Sequence, residues 1–317
     1  SGYKKNDAKK MLFQSINKGN IEPACYWCAE LISSGHYLEV WDIFLIVLAK
    51  TIHLANPKLA IYLEKRYNIF RNILAKDDYR SELQLRNNPT IRNLFAEVTC
   101  ILAMSPKRLA NESVKVKKDE EFDIFNMQDK LKATSTQYAE NILKEKDCRE
   151  IMVPINEFAY HLKKDNNHVP NMANACYWIE WLLTYDQICK KKKQPCYLEA
   201  RESIPVEYKY QREIVWALWD TLFYEVQNDG FLLKIMNSLL RLYCINFTLP
   251  SAKKRVSLLY FAVSLVTENF YREVVMIKNK DVVEHTLQNL PAIYKQIKKE
   301  EIQPRTQYLF MGLHETI

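Results

Sequence analysis

A chain of 317 residues with only five glycines, at Gly2, Gly19, Gly35, Gly230 and Gly312, has few places where the backbone can take left-handed conformations freely. Ordinary soluble chains carry roughly 7% glycine. Hairpins and bulges of sheet architectures draw on that residue, so its scarcity points to helices joined by loops. Hydrophobic residues make up 48% of the chain, enough for real cores rather than a disordered polymer. The length allows about two domains.

The apolar pattern is helical nearly throughout. Ile21, Ala24, Cys25, Cys28 and Ile32 fall on one stripe, with Pro23 near the helix start and Gly35 after its end. "VWDIFLIVLAKTIHL" (40–54) is apolar all round and reads as a deeply buried helix. Helical segments restart at Pro57 and Pro89. A polar stretch from Leu109 to Glu121 reads as a linker, and Met127 to Glu145 as an amphipathic bridging helix. No stretch is long and apolar enough for a membrane span. The opening "SGYKKNDAKK" has charges without an apolar core behind them, unlike a signal peptide.

The tetrad Ala24-Cys25-Tyr26-Trp27 returns as Ala175-Cys176-Tyr177-Trp178. Aligned on it, Ile21 meets Met172, Cys28 meets Ile179 and Leu31 meets Leu182, apolar against apolar throughout. Farther on, Trp41-Asp42 matches Trp219-Asp220, after a longer interval that holds a lysine-rich insert. The expectation is an all-α protein built as a tandem duplication of one helical-bundle unit. Its domains are 1–110, a linker and bridging helix at 111–149, a diverged copy at 150–300, and a tail at 301–317. The repeated Cys, Tyr, Trp and Asp residues are then a structural signature.

That reading also disposes of thiol chemistry at Cys25-Tyr-Trp-Cys28. The pair sits mid-helix, away from any helix N-terminus that would lower a thiol pKa, and Ile179 replaces the second cysteine in the other copy. No second CxxC or HxxxH supplies the remaining ligands of a zinc site. The eight cysteines show no framework spacing and read as reduced, buried thiols of a cytoplasmic or nuclear protein. Histidines 36, 53, 161, 168, 285 and 314 are scattered, and His53 reads as a helix-end residue. Asp42 and Asp220, each after a tryptophan, are expected to make buried or capping hydrogen bonds. Neither a catalytic residue nor a cofactor or metal site is expected.

The net charge of +7 permits acidic partners. Lys190, Lys191, Lys192 and Lys193 form the densest basic run, with Tyr197, Tyr208 and Tyr210 nearby for stacking on bases. Lys253, Lys254 and Arg255 form a second cluster, read as a helix start where cations oppose the dipole. Both are candidate nucleic-acid contacts.

Residues 11–108 resemble the C-terminal helical domain of the RarA-type and Werner-helicase-interacting AAA+ ATPases, and more distantly the clamp-loader collar. The resemblance rests on Ala24 to Trp27, on Ala55-Asn56-Pro57, and on Ser105-Pro106-Lys107-Arg108 after a helix. The family's Ser-Asn after that lysine is missing. No glycine precedes a lysine as a phosphate-binding loop requires, so the resemblance implies assembly without the ATPase. It implies a non-catalytic accessory factor of DNA replication or repair, with protein partners in a homo- or hetero-oligomer and nucleic acid as a further partner. The whole chain is also similar to proteins of large nucleocytoplasmic DNA viruses. The alternative function is therefore a structural scaffold or minor particle component of such a virus.

Overall fold

The structure, a computed structural model, describes residues 2–75, 82–110, 116, 122, 127–164 and 168–301. Among them are thirteen α-helices and no strand. The all-α class is as expected, and no described helix is long and apolar enough to cross a membrane. Two compact units divide the chain, one taking 1–43, 74–104 and 279–317, the other 44–73 and 105–278. These units are discontinuous, so the expected boundaries at 110 and 150 are not where they part. The last helix returns to the first unit, and residues 44–73 belong to the second.

The first unit contains α1 (Lys5–Lys18), α2 (Ile21–Ser33), the start of α3 (Tyr37–Ile46), α5 (Glu82–Asn87), α6 (Pro89–Met104) and α13 (Lys280–Lys299). The turn after α1 needs Gly19, whose φ of 74° is left-handed and whose N–H bonds to the Ile16 carbonyl at 3.1 Å. α2 packs on α1, α6 and α13. Its buried stripe is the expected one, Ala24, Cys25, Cys28 and Ile32. Trp41 meets Phe95 of α6 in this core, ring centroids 5.6 Å apart. Burial pushes the Cys28 thiol up to about 12 and raises Cys25 as well, so this pair is interior filling.

The second unit is organised round α12 (Val256–Thr267). This helix packs on α7 (Met152–Leu162), α8 (Met172–Lys191), α9 (Val215–Val226) and α10 (Gly230–Tyr243). Leu258, Leu259, Phe261, Ala262, Val263 and Leu265 are all buried, as a helix apolar on every side must be. Each large side chain among them contributes about 1.5–3 kcal/mol by leaving water. The unit also contains α4 (Leu59–Ala75, through 73) and the short α11 (Leu249–Lys254).

The expected continuous helix over 40–54 changes hydrogen-bond pattern instead. After α3 the chain widens into a π-helix, Val47–Ile52, then tightens into a 3-10 turn, His53–Ala55. Carbonyls near the end of the π-helix are satisfied from outside: Arg108 N–H bonds to Thr51 and Ala110 N–H to Lys50, both at 2.9 Å. His53 is left with φ 50° and ψ −132°, a strained conformation for a residue with a Cβ.

The bridging helix expected from Met127 to Glu145 is not formed. A buried polar face of α7 takes up the backbone groups that such a helix would use. Glu157 accepts N–H bonds from Lys132 and Ala133, both at 2.9 Å, and Asn156 accepts from Ala139 and donates to the Ser135 carbonyl. What regular structure there is consists of helical residues at 127–128 and a 3-10 turn, Gln137–Ala139. Most of the Leu109–Glu121 linker, and the tail beyond 301, lie outside the described residues.

Cysteine usage also differs from expectation. Cys25, Cys28, Cys100, Cys176, Cys189 and Cys244 are free, but Cys148 and Cys196 are joined in a disulfide across 48 residues. All eight were expected to be reduced, and no spacing in the sequence singles out this pair. The fold instead brings the 144–149 loop to Cys196. Closing a loop of this length stabilises by about 4 kcal/mol in the chain-entropy account.

His161, one turn after Glu157, is buried, and burial lowers its pKa to about 4, with His168 and Lys132 adding to the effect. The unfolded chain therefore takes up this proton first, near pH 6.5. The stability contributed is complete above that pH and is lost as pH falls towards 4. Replacing His161 with Phe is predicted to flatten the pH dependence of stability in this window by about 1.4 kcal/mol per pH unit, as urea titrations at stepped pH would read it.

Candidate functional site

The second unit carries an open groove of about 820 Å³. One wall is a face of α4. Glu64, Tyr67, Asn68 and Arg71 are spaced i, i+3, i+4 and i+7, so helical geometry alone lines them up. The facing wall is built the same way from Asn237, Leu240 and Arg241 of α10. The floor is the turn that leaves α10, Cys244 to Thr248, and the remaining side is the irregular chain around Pro205 to Glu207.

Glu64 ties the two helical walls together. It accepts from Ser238 Oγ at 2.8 Å, from Arg241 Nη1 at 2.9 Å and from Asn68 Nδ2 at 3.3 Å. Arg241 itself is largely exposed, so this ion pair orients more than it stabilises. Four charged side chains line the groove, Glu64 and Glu207 against Arg71 and Arg241. Their charges cancel. Glu207 is further engaged by Lys209 at 2.7 Å. Burial pushes the Tyr67 hydroxyl up, against the pull of Arg255 and Arg71.

The fourth side depends on a buried ion cluster. Arg201 donates to both carboxylate oxygens of Asp147, at 2.9 and 2.6 Å, and through Nε to Asp220 at 2.8 Å. Arg201 and Asp147 are both almost fully enclosed. Burial opposes charge on Asp147, yet Arg201 and the N–H groups of Lys144 and Glu199 hold its carboxyl below the usual range. Asp220, where burial prevails, is shifted upward. The expected hydrogen-bonding role of Asp220 is thus realised as an ion pair, and Asp42 is half-buried. Backbone bonds from Leu198 to Arg212 and from Arg201 to Gln211, both at 2.9 Å, fold the chain back on itself. The lysine-rich insert is thus tied to itself by backbone bonds as well as by ion pairs.

The basic residues singled out in the sequence fall into two kinds. Lys190 is used internally, bonded to Asp186 at 2.7 Å and to Glu213. Burial works against its charge, but those two carboxylates raise its pKa. Arg255 donates to the carbonyls of Tyr243, at 3.0 Å, and Ile245, closing the end of α10. Lys191, Lys192, Lys193, Lys253 and Lys254 are exposed. Arg255 is the N-cap of α12, the expected helix start, while Lys253 and Lys254 occupy the last turn of the short α11 before it. Cations there are favoured by the helix dipole, so their position needs no outside anion to explain it. Tyr197 and Tyr208 are exposed, while Tyr210 packs on Phe247 at 5.5 Å.

The repeated tetrads share a register. Each alanine is the fourth residue of its helix, α2 or α8, and in both the Ala and Cys are buried and the Tyr half-buried. Trp178 is buried whereas Trp27 is half-buried, and Trp41 and Trp219 are both buried. His53, read as a helix-end residue, is fully enclosed against Phe261 at 5.0 Å, with its pKa lowered to about 4 by burial and by Arg108. Asn56 donates to the Met276 carbonyl at 3.1 Å.

The groove residues Tyr67, Arg71, Asn237 and Arg241 were not anticipated. Their signal was a polar face repeating at helical spacing on two segments, which looks the same as any solvated face until the two are brought together. No family model matches the chain, and neither a curated protein nor a solved structure does.

Lys190→Ala is predicted to lower stability by about 2 kcal/mol, because it leaves the buried Glu213 and the half-buried Asp186 without their cation. Lys192→Ala, at an exposed position, is predicted to stay within about 0.5 kcal/mol of the parent in the same thermal melts.

Proposed function

We propose that the chain is a non-catalytic docking protein whose second unit receives an extended segment of a protein partner. The observation that carries this reading is the groove. Its volume is in the range of pockets that enclose a ligand, but it is open and its walls are two helix faces, as suits a length of chain. Its charges balance, which favours a mixed polypeptide over a uniformly charged polymer. Polar groups on both walls offer donors and acceptors to a peptide backbone, and Leu240 and Phe247 offer apolar contact.

The buried ionisable groups fit the same reading. Arg201, Asp147 and Asp220 are engaged with one another, Lys190 with its two carboxylates, and Glu157 with backbone amides. They hold shape. The tie to DNA replication or repair rests on the resemblance to collar-type helical domains, and the shared tetrad register supports descent from one duplicated unit. Nucleic acid enters this proposal as a second partner, through Lys191, Lys192, Lys193, Lys253 and Lys254.

Two measurements test it. A photo-crosslinking residue at Asn68 or Asn237 is expected to trap one discrete partner chain from the native source, and one at the exposed Glu145 is not. Arg241→Glu is expected to reduce the adduct roughly tenfold. Equal adducts from all three positions would contradict the groove. Separately, affinity for duplex DNA is expected to fall steeply with salt and to weaken when Lys191, Lys192 and Lys193 are neutralised. Negligible affinity at low salt would remove the nucleic-acid partner and leave the docking role standing.

A further inference from the structure

The disulfide-bonded pair has a third potential ligand beside it. The Sγ atoms of Cys148 and Cys196 and a carboxylate oxygen of Glu150 all lie within 4.8 Å of one another. Cys196 is buried, Cys148 half-buried and Glu150 exposed, so the cluster opens to solvent on its carboxylate side. Two sulfurs and a carboxylate oxygen are a ligand set for zinc, which takes Zn–S near 2.3 Å and Zn–O near 2.0–2.2 Å in tetrahedral geometry. Ligand atoms round such an ion stand roughly 3.3–3.8 Å apart, a spacing this cluster reaches with small side-chain movements.

We propose that Cys148, Cys196 and Glu150 form a binding site for a divalent metal ion of the zinc class, exclusive with the disulfide, with the fourth position left to water. The S–S bond is not what brings the ligands together. Cys148 N–H bonds to the Tyr197 carbonyl at 3.2 Å, and Glu199 N–H to Asp147 Oδ1 at 2.8 Å. The Arg201–Asp147 pair clamps the same two segments. With the sulfurs reduced, the two segments stay in register and the ligands remain gathered, as a metal site requires of its surrounding shell. A 3-10 turn, Arg149–Ile151, holds Glu150 close to Cys148.

The chemistry balances. A dithiol reductant transfers two electrons and two protons to the Cys148–Cys196 bond, which breaks into two thiols while the reductant becomes a disulfide. On metal binding each thiol loses its proton to water and forms one metal–sulfur bond. In either state the 144–149 loop is joined to the segment at 196–201. That segment leads into the groove wall at Ser203 to Glu207, so the staple serves under oxidising and reducing conditions alike.

The test uses the full chain, reduced with a phosphine, freed of metal and titrated with cobalt(II). One equivalent is expected to bind, with thiolate-to-cobalt absorption in the near ultraviolet and d–d bands of a four-coordinate ion, both abolished by one equivalent of zinc. The oxidised protein is expected to bind none, and Cys148→Ser with Cys196→Ser to lose the spectrum. Glu150→Gln should keep the sulfur band but weaken binding roughly tenfold. Absence of cobalt binding by the reduced parent would overturn the site, as would an unaltered spectrum in the double serine variant. Undiminished affinity in Glu150→Gln would overturn the three-ligand set. The readings on the reduced parent, the oxidised parent and Glu150→Gln do not depend on how well the serine variant folds, because all three keep both cysteines.

Discussion

A guanidinium enclosed with one carboxylate and paired with a second, half-buried one is the interaction on which the second unit's shape rests. Arg201 links Asp147, from the irregular chain before α7, to Asp220 on α9, and its own backbone is bonded to Gln211. Three separate stretches thereby meet at one side chain. An ion cluster of this kind contributes little net free energy, because desolvation offsets most of the attraction. Its effect is on specificity: unpaired, any of these groups would be costly to bury, so alternative packings of the long connection are penalised. Helices alone would not place Pro205 to Glu207 beside α4 and α10.

Around that polar pin, apolar packing does the ordinary work. Trp216 and Trp219 of α9 are fully buried against Tyr243, with centroids 6.1 and 5.4 Å away, and Trp216 also meets Phe247 at 4.9 Å. Two of the three polar tips find a carbonyl: Trp216 Nε1 donates to Tyr210 at 2.7 Å and Tyr243 to Ala252 at 3.1 Å, while the enclosed Trp219 Nε1 has no hydrogen-bond acceptor among the described residues. These bonds fasten the 3-10 turn at Tyr208–Tyr210 and the short α11 onto the helical core. The groove floor, which begins one residue after Tyr243, is thereby fastened to the core beneath it, and preorganisation of that kind favours selective docking.

Helix existence and burial were largely legible because they depend on local spacing. The stripe from Ala24 to Ile32 and the deep burial of 40–52 follow from period alone, though not the change from α- to π-helix at Val47. Three things were not. The 127–145 stretch has helical spacing, but its N–H groups are claimed by Asn156 and Glu157, residues distant in sequence. The Lys253–Arg255 cluster does stand at the start of α12, but the short α11 opened ahead of it by Thr248 and Pro250 was not seen, so the two lysines end one helix while Arg255 caps the next. The groove and the Cys148–Cys196 pair are long-range pairings, and no periodicity in a single sequence records which faces or thiols will meet. Lys190 shows the same limit within one run. Four lysines look equivalent, and only the fold separates the one that is internally paired.

The most direct test of this account is hydrogen–deuterium exchange of Arg201→Met against the parent. The side chain keeps its length and apolar stem but loses the charge that joins Asp147 to Asp220. Amides of the 198–214 connection, including the groove wall, are predicted to exchange at least about tenfold faster, with α2 and α6 of the first unit unchanged. Exchange in 198–214 indistinguishable from the parent would contradict the claim that this buried guanidinium shapes the groove.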